Sequence, residues 1–290
     1  MDYSILTNEP MSAHTTFRTG GPAKEYYKID SLEGLKEVLE LLGDRKSEML
    51  ILGNGSNLLV SEKGIDVPVI DMSAATDKIK INGTTVRAGA GAVLSKVSSE
   101  AAAAGLTGLE FAFGIPGTVG GAVYMNAGAY GGEIKNICKS VDVYMDGKVQ
   151  TIPASEMEFD YRNSRAMREK MIILSAEFEL ENGNVDEIKA TIDDLTMRRR
   201  SKQPLEYPSA GSTFKRPEGY FAGKLIMDSG LAGERVGGAM VSPKHCGFII
   251  NYENATSDDI YGLIKKVQNV VKEKYGVSLE PEVKLIGVFE

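Results

Sequence analysis

The sequence predicts an α+β fold, and three observations support this. The dipeptides Asn82-Gly83 and Asp146-Gly147 each lie between short apolar runs and suit the type I′ turns of β-hairpins. Apolar residues at helical spacing predict several helices elsewhere in the chain. No Gly-x-Gly-x-x-Gly pattern follows the first predicted strand to open a helix, as a Rossmann fold would require. A different mixed fold is therefore expected.

The N-terminal part of the chain is predicted to contain two helices and a strand that leads into a glycine loop. The first helix begins after Ser31, its N-cap, and ends at Gly43. Residues 49–52 read as a strand, and 57–60 continue as an extended segment. Residues 93–104 form the second helix.

The C-terminal part alternates predicted strands and helices. In order these are a strand at 171–180, a helix from 185 to about 200, a strand at 247–251, a helix capped by Ser257 and stopped by Gly276, and a strand at 283–289. Residues 201–219 contain three prolines and no clear period, which indicates a boundary or a binding loop.

Composition limits the possible functions. The formal net charge of -7 and the pI of about 5.2 exclude a global positive field that would attract nucleic acid or an anionic membrane. No apolar run approaches bilayer length and no leader pattern opens the chain, so a cytoplasmic protein is expected. Two cysteines and two histidines are too few for a common metal site or a disulfide framework.

Glycine is concentrated in short loops. The loop at 53–57, Gly-Asn-Gly-Ser-Asn, offers backbone N–H groups and polar side chains to a diphosphate. Alone it is as consistent with a tight turn between two strands, at roughly even odds. Because further glycine loops lie at 88–91 and 114–133, a dinucleotide site is the better interpretation, and FAD is the expected ligand.

Six motifs lie at residues 53–57, 115–122, 126–133, 161–164, 210–215 and 279–283. Together, and in this order, they resemble the UDP-N-acetylenolpyruvoylglucosamine reductase (MurB) family over almost the whole chain. The resemblance implies the FAD-binding fold of the vanillyl-alcohol-oxidase (PCMH) type, made of two small subdomains, followed by an α+β substrate-binding domain. The compact stretch between Arg162 and Ser212 indicates the shorter family type, which lacks a tyrosine loop over the substrate.

The implied domains are FAD-binding subdomain 1 at 1–72, completed by a C-terminal strand at 278–290, subdomain 2 at 73–200, and the substrate-binding domain at 201–277. The implied reaction uses noncovalently bound FAD, reduced by NADPH, to reduce the enolpyruvyl group of UDP-N-acetylglucosamine enolpyruvate to UDP-N-acetylmuramate. Hydride reaches C3 of that group, and the negative charge that develops at C2 beside a carboxylate must be stabilised.

The resemblance assigns catalysis to Arg162, Ser212 and Glu282. Arg162 would bind the substrate carboxylate through two parallel hydrogen bonds. Glu282 would stabilise the enolate as a neutral acid, and Ser212 would protonate C2 with help from Lys215. From the residues alone the alternatives stay open. They are a surface basic cluster for Arg162, an exposed charge at a strand edge for Glu282 and a small-residue turn for Ser212.

The expected binding residues complete the hypothesis. For FAD they are Gly53, Asn54, Gly55, Ser56, Asn57, Gly89, Gly117, Thr118, Gly121, Ala122, Asn126 and Gly128. For the UDP-sugar and NADPH they are Tyr130, Arg199, Lys202, Lys215, Arg216, Lys224 and Asn251, whereas His245 is interpreted as a structural residue or a peripheral contact and not as a base. No metal is expected, and the chain is expected to be a monomer. Two other functions stay open: an FAD-dependent oxidase of another sugar or alcohol, and a noncatalytic protein that binds a sugar nucleotide.

Overall fold

The computed structural model describes residues 2–169 and 171–290. The helices are α1 (Leu32–Leu42), α2 (Leu94–Ala103), α3 (Val119–Met125), α4 (Val185–Lys202), α5 (Ala222–Asp228) and α6 (Ser257–Tyr275). The strands of the N-terminal half are β1 (Tyr3–Pro10), β2 (Pro22–Ile29), β3 (Leu50–Leu52), β4 (Leu58–Val60), β5 (Val69–Asp71), β6 (Ile79–Asn82), β7 (Thr85–Gly89), β8 (Leu106–Thr107), β9 (Gly128–Ala129) and β10 (Gly132–Glu133). Those that follow are β11 (Cys138–Met145), β12 (Lys148–Pro153), β13 (Ile172–Glu179), β14 (Glu181–Asn182), β15 (Arg235–Val236), β16 (Ala239–Val241), β17 (Ile249–Asn251) and β18 (Lys284–Ile286). The predicted α+β class is confirmed.

The chain divides into two compact units. The first comprises residues 2–6, 26–54 and 68–199, and the second comprises 7–25, 55–67 and 200–290. The division falls inside the first predicted glycine loop, between Asn54 and Gly55.

The first unit contains a five-stranded antiparallel sheet in the order β12-β11-β13-β7-β6. Its core includes Val86 and Ala88 of β7, Leu94 of α2, Val119 of α3 and Phe178 of β13, all of them fully buried. In the same unit β5 pairs in parallel with β3 and with the second half of β2. Strands β3 and β7 both end at glycine loops, so the two sheets place these loops.

The second unit contains the antiparallel sheet β15-β16-β17 and the parallel pair β4-β18. Its core is built on α6, whose residues Ile260, Leu263 and Val267 are fully buried with Leu59 and Ile249. The final strand was predicted at 283–289, but the structure limits it to the three residues that pair with β4.

Of the two predicted hairpin turns, the structure confirms one and shifts the other by one residue. Asp146 and Gly147 both have positive φ, at 52° and 78°, between the paired Met145 and Lys148, so the type I′ turn is confirmed. The prediction for Asn82-Gly83 is wrong by one residue, because Asn82 already pairs with Thr85. The turn is Gly83-Thr84, in which only the glycine has positive φ, as type II′ requires.

Helix α6 begins one residue earlier than its predicted cap implies. Thr256, not Ser257, is the N-cap, and its side chain accepts from the N–H of Asp259 while the carboxylate of Asp259 accepts from the N–H of Thr256. The Ser257 hydroxyl instead donates to the carbonyl of Val60. The predicted stop at Gly276 is confirmed, with φ of 69°. The N-cap Ser31 of α1 is confirmed as well.

Candidate active site

The first glycine loop begins in the first unit, where it packs against the loop before α3. Gly53 directly follows β3, and a Cβ at this position would lie 2.4 Å from Oγ1 of Thr118. The side chain of Asn54 donates a hydrogen bond to the carbonyl oxygen of Pro116 at 2.7 Å. The two loops therefore lie side by side.

These adjoining loops carry backbone N–H groups that the protein does not use. Within residues 2–169 and 171–290, the N–H groups of Gly53, Asn54, Gly117 and Thr118 have no acceptor. By contrast, the first two N–H groups of α3 donate to carbonyl oxygens of the segment 90–92. The loops, rather than the start of the helix, therefore offer donors that suit a diphosphate such as that of FAD.

Gly89 and Gly121 have their N–H groups used within the protein. The N–H of Gly89 donates to the carbonyl oxygen of Lys78 at 2.9 Å, and a Cβ there would lie 2.0 Å from the carbonyl oxygen of Thr76. The N–H of Gly121 faces Oγ1 of Thr118, the N-cap of α3, at 3.4 Å. Both glycines therefore serve the local fold.

Asn126 is fully buried in a left-handed conformation, with φ of 43°. Its amide nitrogen donates to Oε2 of Glu133 and to the carbonyl oxygen of Asp160, both at 3.0 Å, and its oxygen accepts from the N–H of Lys135 at 2.9 Å. Ala122, also a predicted cofactor residue, is buried in α3. The structure makes Asn126 a residue that positions the surrounding loops.

Arg162 lies at the corner of a tight turn. The backbones of Asp160 and Asn163 exchange two hydrogen bonds, of 3.0 and 3.1 Å, so Tyr161 and Arg162 form the turn itself. Arg162 has a φ of 50°, which is uncommon for a residue with a side chain. Its guanidinium donates to the carbonyl oxygen of Gly128 at 3.2 Å and lies 5.0 Å from the ring centre of Tyr161. Such strain is maintained by the surroundings and is typical of functional positions.

The neighbouring arginines differ from Arg162. Arg165 pairs with Glu169 at 2.7 Å, and Arg168 forms an ion pair with Glu158. Both pairs are exposed and belong to the surface. The alternative of a solvated basic cluster therefore describes Arg165 and Arg168, whereas Arg162 contacts the strand that begins at Gly128.

Arg199 is half-buried against glycine backbone. A Cβ at Gly114 would lie 2.7 Å from Cδ and Nη1 of Arg199, so a side chain at 114 would displace the guanidinium from this position. Within the described residues no carboxylate lies within 4.0 Å of the guanidinium and no hydrogen bond reaches it. Burial lowers the pKa of Arg199, and the nearby phenol of Tyr130 opposes that shift. Tyr130 is 45 % exposed. This uncompensated cation suits an anionic ligand.

In the second unit the glycine loop continues with Gly55 and Ser56. Gly55 has a φ of 55°, and a Cβ there would lie 1.9 Å from the carbonyl oxygen of His14. The N–H of Thr16 reaches the carbonyl oxygen of Gly55 at 3.4 Å. In the part of the chain that the structure describes, the N–H groups of Gly55 and Ser56 have no acceptor. This half of the loop is also able to hold an anion.

Asn57 joins the glycine loop to the C-terminal segment. Its side-chain amide donates to the carbonyl oxygen of Glu282 at 3.0 Å, and its own carbonyl oxygen accepts from the N–H of Lys284 at 2.9 Å. The residue expected to contact FAD therefore also fixes the backbone that carries Glu282.

Ser212 and Glu282 lie on segments that are bonded to each other through Thr213. The buried Thr213 donates its N–H to the carbonyl oxygen of Gly247 at 2.8 Å, and its hydroxyl accepts from the N–H of Ile249 at 3.0 Å. Its carbonyl oxygen accepts from the N–H of Glu282 at 2.8 Å. Ser212 is exposed and Glu282 is half-buried. The structure thus brings these two predicted catalytic segments together.

The next residues continue this contact and engage Lys215. Phe214 pairs with Pro281 across a single antiparallel bridge, and the N–H of Lys215 donates to the carbonyl oxygen of Glu280 at 2.8 Å. The ammonium of Lys215 also lies 2.5 Å from the carboxylate of Glu280. Because this carboxylate holds the ammonium, the contacts of Lys215 do not support its predicted assistance to Ser212.

The other predicted cations of the second unit have different surroundings. The guanidinium carbon of Arg216 lies 4.0 Å from the ring centre of Phe221. Lys224 pairs with Asp228 at 2.7 Å on the exposed face of α5. Lys202, at the end of α4, is exposed and has no ion pair with any described residue. Of these three cations, Lys202 is one without a carboxylate partner among the described residues.

Asn251 is 9 % exposed and its side chain is occupied by the protein. Its nitrogen donates to the carbonyl oxygen of Phe17 at 3.0 Å, and its oxygen accepts from the N–H of Ala255 at 2.7 Å. Through these bonds, Asn251 holds in place the segment that precedes α6.

His245 and the two cysteines are packing groups. His245 accepts from the N–H of Gly247 at 3.1 Å and packs edge-on to Phe248, and burial lowers its pKa. Burial raises the pKa of Cys246, and it raises that of Cys138 to about 12. Among the described residues, no group of three or more His, Cys, Asp or Glu side chains could hold a metal ion.

Two residues important to these sites were not predicted. Gly114 receives the side chain of Arg199, and its place at the start of Gly-Ile-Pro-Gly was the signal that could have found it. Thr213 fixes the segments of Ser212 and Glu282 through three hydrogen bonds. No sequence pattern distinguishes it from any other threonine, because its partners lie far along the chain.

Comparisons with known proteins agree with these features. The family model of the UDP-N-acetylenolpyruvoylglucosamine reductase C-terminal domain matches residues 203–286, and that of an FAD binding domain matches residues 23–152. Among the described residues, no helix is long and apolar enough to cross a membrane.

Several relatives match over nearly the full length. A UDP-N-acetylenolpyruvoylglucosamine reductase from Lachnoclostridium phytofermentans is 49 % identical, with 98 % of this chain and 93 % of the relative covered. One from Clostridium botulinum (strain Alaska E43) is 50 % identical over 99 % of this chain and 94 % of the relative. The crystal structure of the corresponding Thermus caldophilus protein aligns with a TM-score of 0.83 at 34 % identity, covering 98 % of this chain and 99 % of that one.

Proposed function

The chain belongs to the UDP-N-acetylenolpyruvoylglucosamine reductase family, and from this we propose that it reduces UDP-N-acetylglucosamine enolpyruvate to UDP-N-acetylmuramate in peptidoglycan precursor synthesis. It is an FAD-dependent oxidoreductase with an FAD-binding domain of the PCMH type, and NADPH is its reductant. The observation that carries this conclusion is the identity of 49–50 % to reductases over 98 % or more of the chain.

We propose that FAD is held by residues predicted from the sequence. Bound FAD supplies hydride transfer from NADPH to the enolpyruvyl group. In the first unit, the N–H groups of Gly53, Asn54, Gly117 and Thr118 support the proposal because they have no acceptor among the described residues. In the second unit the same is true of Gly55 and Ser56. Gly89, Gly121, Ala122 and Asn126 act by shaping these loops.

We propose that Arg162, Ser212 and Glu282 act directly on the substrate. Arg162 would hold its carboxylate, since a guanidinium can form two parallel hydrogen bonds to one carboxylate. Glu282 would donate a hydrogen bond to the developing enolate, and Ser212 would give the proton to C2. Preorganised donors of this kind stabilise a developing charge by several kcal/mol, about 3–4 kcal/mol for one well-placed group. The left-handed Arg162 and the Thr213 bonds that fix the other two segments support these roles.

The diphosphates of the substrate and of NADPH need cations in a chain whose net charge is -7. We propose that Arg199 is the main one, because its half-buried guanidinium has no carboxylate partner among the described residues, and that Lys202 and Arg216 also contribute positive charge. Tyr130 would contact a ligand near Arg199, and Gly128 would orient Arg162. Lys215 and Lys224 carry carboxylate partners, so their contribution would be smaller.

The domain division and the subtype belong to the same proposal. We propose that residues 1–72 with 278–290, and residues 73–200, bind FAD and that residues 201–277 bind the substrate; the family-model matches at 23–152 and 203–286 support the order of an FAD-binding part before a second domain. The shorter subtype is supported by the region between Arg162 and Ser212, where β13, β14 and α4 follow one another without a long insertion. We also propose a cytoplasmic monomer, which light scattering after gel filtration would test.

The test of function is turnover with product analysis. Purified protein should be yellow, and it should oxidise more than one equivalent of NADPH per flavin only when UDP-N-acetylglucosamine enolpyruvate is present, giving UDP-N-acetylmuramate by mass spectrometry. A colourless protein that binds UDP would indicate a noncatalytic sugar-nucleotide binder. Oxygen consumption driven by an alcohol or a sugar, without NADPH, would indicate an oxidase. Either result would refute the proposal.

A further inference from the structure

Two aromatic side chains on the chain segment that follows the predicted catalytic Ser212 are exposed to solvent. Phe221 is 60 % exposed and Tyr220 is 46 % exposed, in the same unit as Ser212 and only a few residues along the chain from it. A large aromatic ring left in water is a site that favours contact with another molecule. Packing in the core of the protein therefore does not explain why these two aromatic side chains are found here.

The backbone around Phe221 is firmly fixed. The N–H of Tyr220 donates to the carbonyl oxygen of Pro217 at 3.1 Å, and Nε of Arg216 donates to the carbonyl oxygen of Tyr220 at 3.3 Å. The carbonyl oxygen of Phe221 accepts from the N–H of Leu225 at 3.0 Å, at the start of α5. The exposed ring is thus presented by a closed turn and a helix start.

One face of the Phe221 ring is already covered by a cation. The guanidinium carbon of Arg216 lies 4.0 Å from the ring centre. A stack of guanidinium and aromatic ring offers a flat surface with a positive charge at its edge. This combination suits a ligand that joins a flat ring to an anionic group, as a nucleoside diphosphate does.

We propose that Phe221 is the stacking platform for the uracil ring of the UDP-sugar, with Arg216 beside it toward the diphosphate. The proposal rests on the proposed function, because that function supplies a substrate with a uracil and a diphosphate. It goes further by giving the base a position in the second unit, on the segment that follows Ser212.

The protein contains no tryptophan, which makes a direct test possible. Phe221→Trp introduces a single indole at the proposed platform. Leu41→Trp, at a residue of α1 that is 55 % exposed, is the matched control. UDP should quench the fluorescence of Phe221→Trp in a saturable way and leave that of Leu41→Trp unchanged. The compound 2′,5′-ADP, which represents the adenine end of NADPH, should have no effect on either protein.

Kinetics provide the second readout. Phe221→Ala should raise the KM for the UDP-sugar by roughly 5- to 100-fold, since losing one base stack weakens binding on that scale. It should leave the rate of flavin reduction by NADPH unchanged, and Phe221→Tyr should restore the KM. The side chain is exposed, so none of these changes removes core packing.

Three results would overturn the proposal: no response of Phe221→Trp to UDP together with an unchanged KM in Phe221→Ala, quenching by 2′,5′-ADP instead of UDP, or equal quenching of both tryptophan variants. If wild-type turnover persists in those cases, the proposed function stands and only the uracil platform is refuted.

Discussion

The two regions that carry the predicted site residues are built differently. In the first unit, the loops at 53–54 and 117–118 leave N–H groups without acceptors among the described residues, and Arg199 lacks a carboxylate. In the second unit, Thr213 uses its N–H, hydroxyl and carbonyl groups to fix the segments of Ser212 and Glu282. The loops at 53–54 and 117–118 leave polar groups available to a ligand, whereas Thr213 uses its polar groups to hold the two predicted catalytic segments in place. Substitutions should therefore affect binding in one region, and chemistry or stability in the other.

The largest effect is expected from Ser212→Ala. It should slow flavin reoxidation by the enolpyruvyl substrate by about 10²- to 10⁴-fold, the usual contribution of a positioned proton donor. Flavin reduction by NADPH should be nearly unchanged, because no proton reaches C2 in that half-reaction. Stopped-flow absorbance measures both steps. Ser229→Ala, which removes a buried hydroxyl without a hydrogen-bond partner in the described structure, is the control. If both half-reactions fall together in Ser212→Ala, the assigned role is wrong.

Arg199→Met should weaken binding and leave folding intact. An uncompensated cation contributes through its ligand, so we expect dissociation constants for the bound anion to rise by about 10- to 100-fold, matching the loss of one charge-assisted hydrogen bond. Titrations of FAD, NADPH and the UDP-sugar would show which ligand is affected. Arg198→Met, which removes an exposed partner of Asp194, should change these constants very little. Equal effects of the two substitutions would contradict the comparison.

Thr213→Val tests the second region through stability. The change leaves the buried N–H of Ile249 without its acceptor, which should lower the free energy of unfolding by about 1–3 kcal/mol. Urea denaturation of the protein measures this loss. Thr191→Val, on the exposed surface of α4, is a control that should cost far less. A stable Thr213→Val protein with full activity would show that this bond network does not position Ser212.

The smallest effect concerns pH and His245. Burial lowers the folded-state pKa of this histidine below its ordinary value of about 6.5, so in acid the unfolded chain takes up a proton that the folded chain resists. The contribution of His245 to the free energy of unfolding is fully present above the pKa of the unfolded state. It is lost as the pH falls through the pKa of the folded state. Urea denaturation from about pH 7.5 to about pH 5.5 should show a smaller loss for His245→Gln than for wild type. The same loss in both proteins would indicate another titrating group.

Much of the fold was predictable because it depends on local patterns. The helix after Ser31, the helix at 93–104 and the turn at Asp146-Gly147 follow from caps, apolar spacing and glycine chemistry that act over a few residues. The errors arose where a longer-range partner competes. Ser257 is not the N-cap of α6 because its hydroxyl is bonded to Val60, nearly two hundred residues away.

The sequence allowed candidate site residues to be chosen, but it did not show the contacts that each of them makes. The glycine loops indicated an anionic ligand, yet the sequence did not distinguish Gly53, whose N–H has no acceptor among the described residues, from Gly89, whose N–H bonds to Lys78. The clustering of basic residues in the sequence also did not show that Lys215 has a carboxylate partner, whereas Arg199 has none among the described residues. Such differences depend on which carboxylate or carbonyl the fold brings near, and they need coordinates.

The most direct test of the account is anaerobic reoxidation. The protein is reduced with one equivalent of NADPH and then mixed with UDP-N-acetylglucosamine enolpyruvate, and the flavin absorbance is followed. The account predicts that the oxidised spectrum returns with one UDP-N-acetylmuramate formed per flavin. A flavin that stays reduced until oxygen is admitted would contradict it.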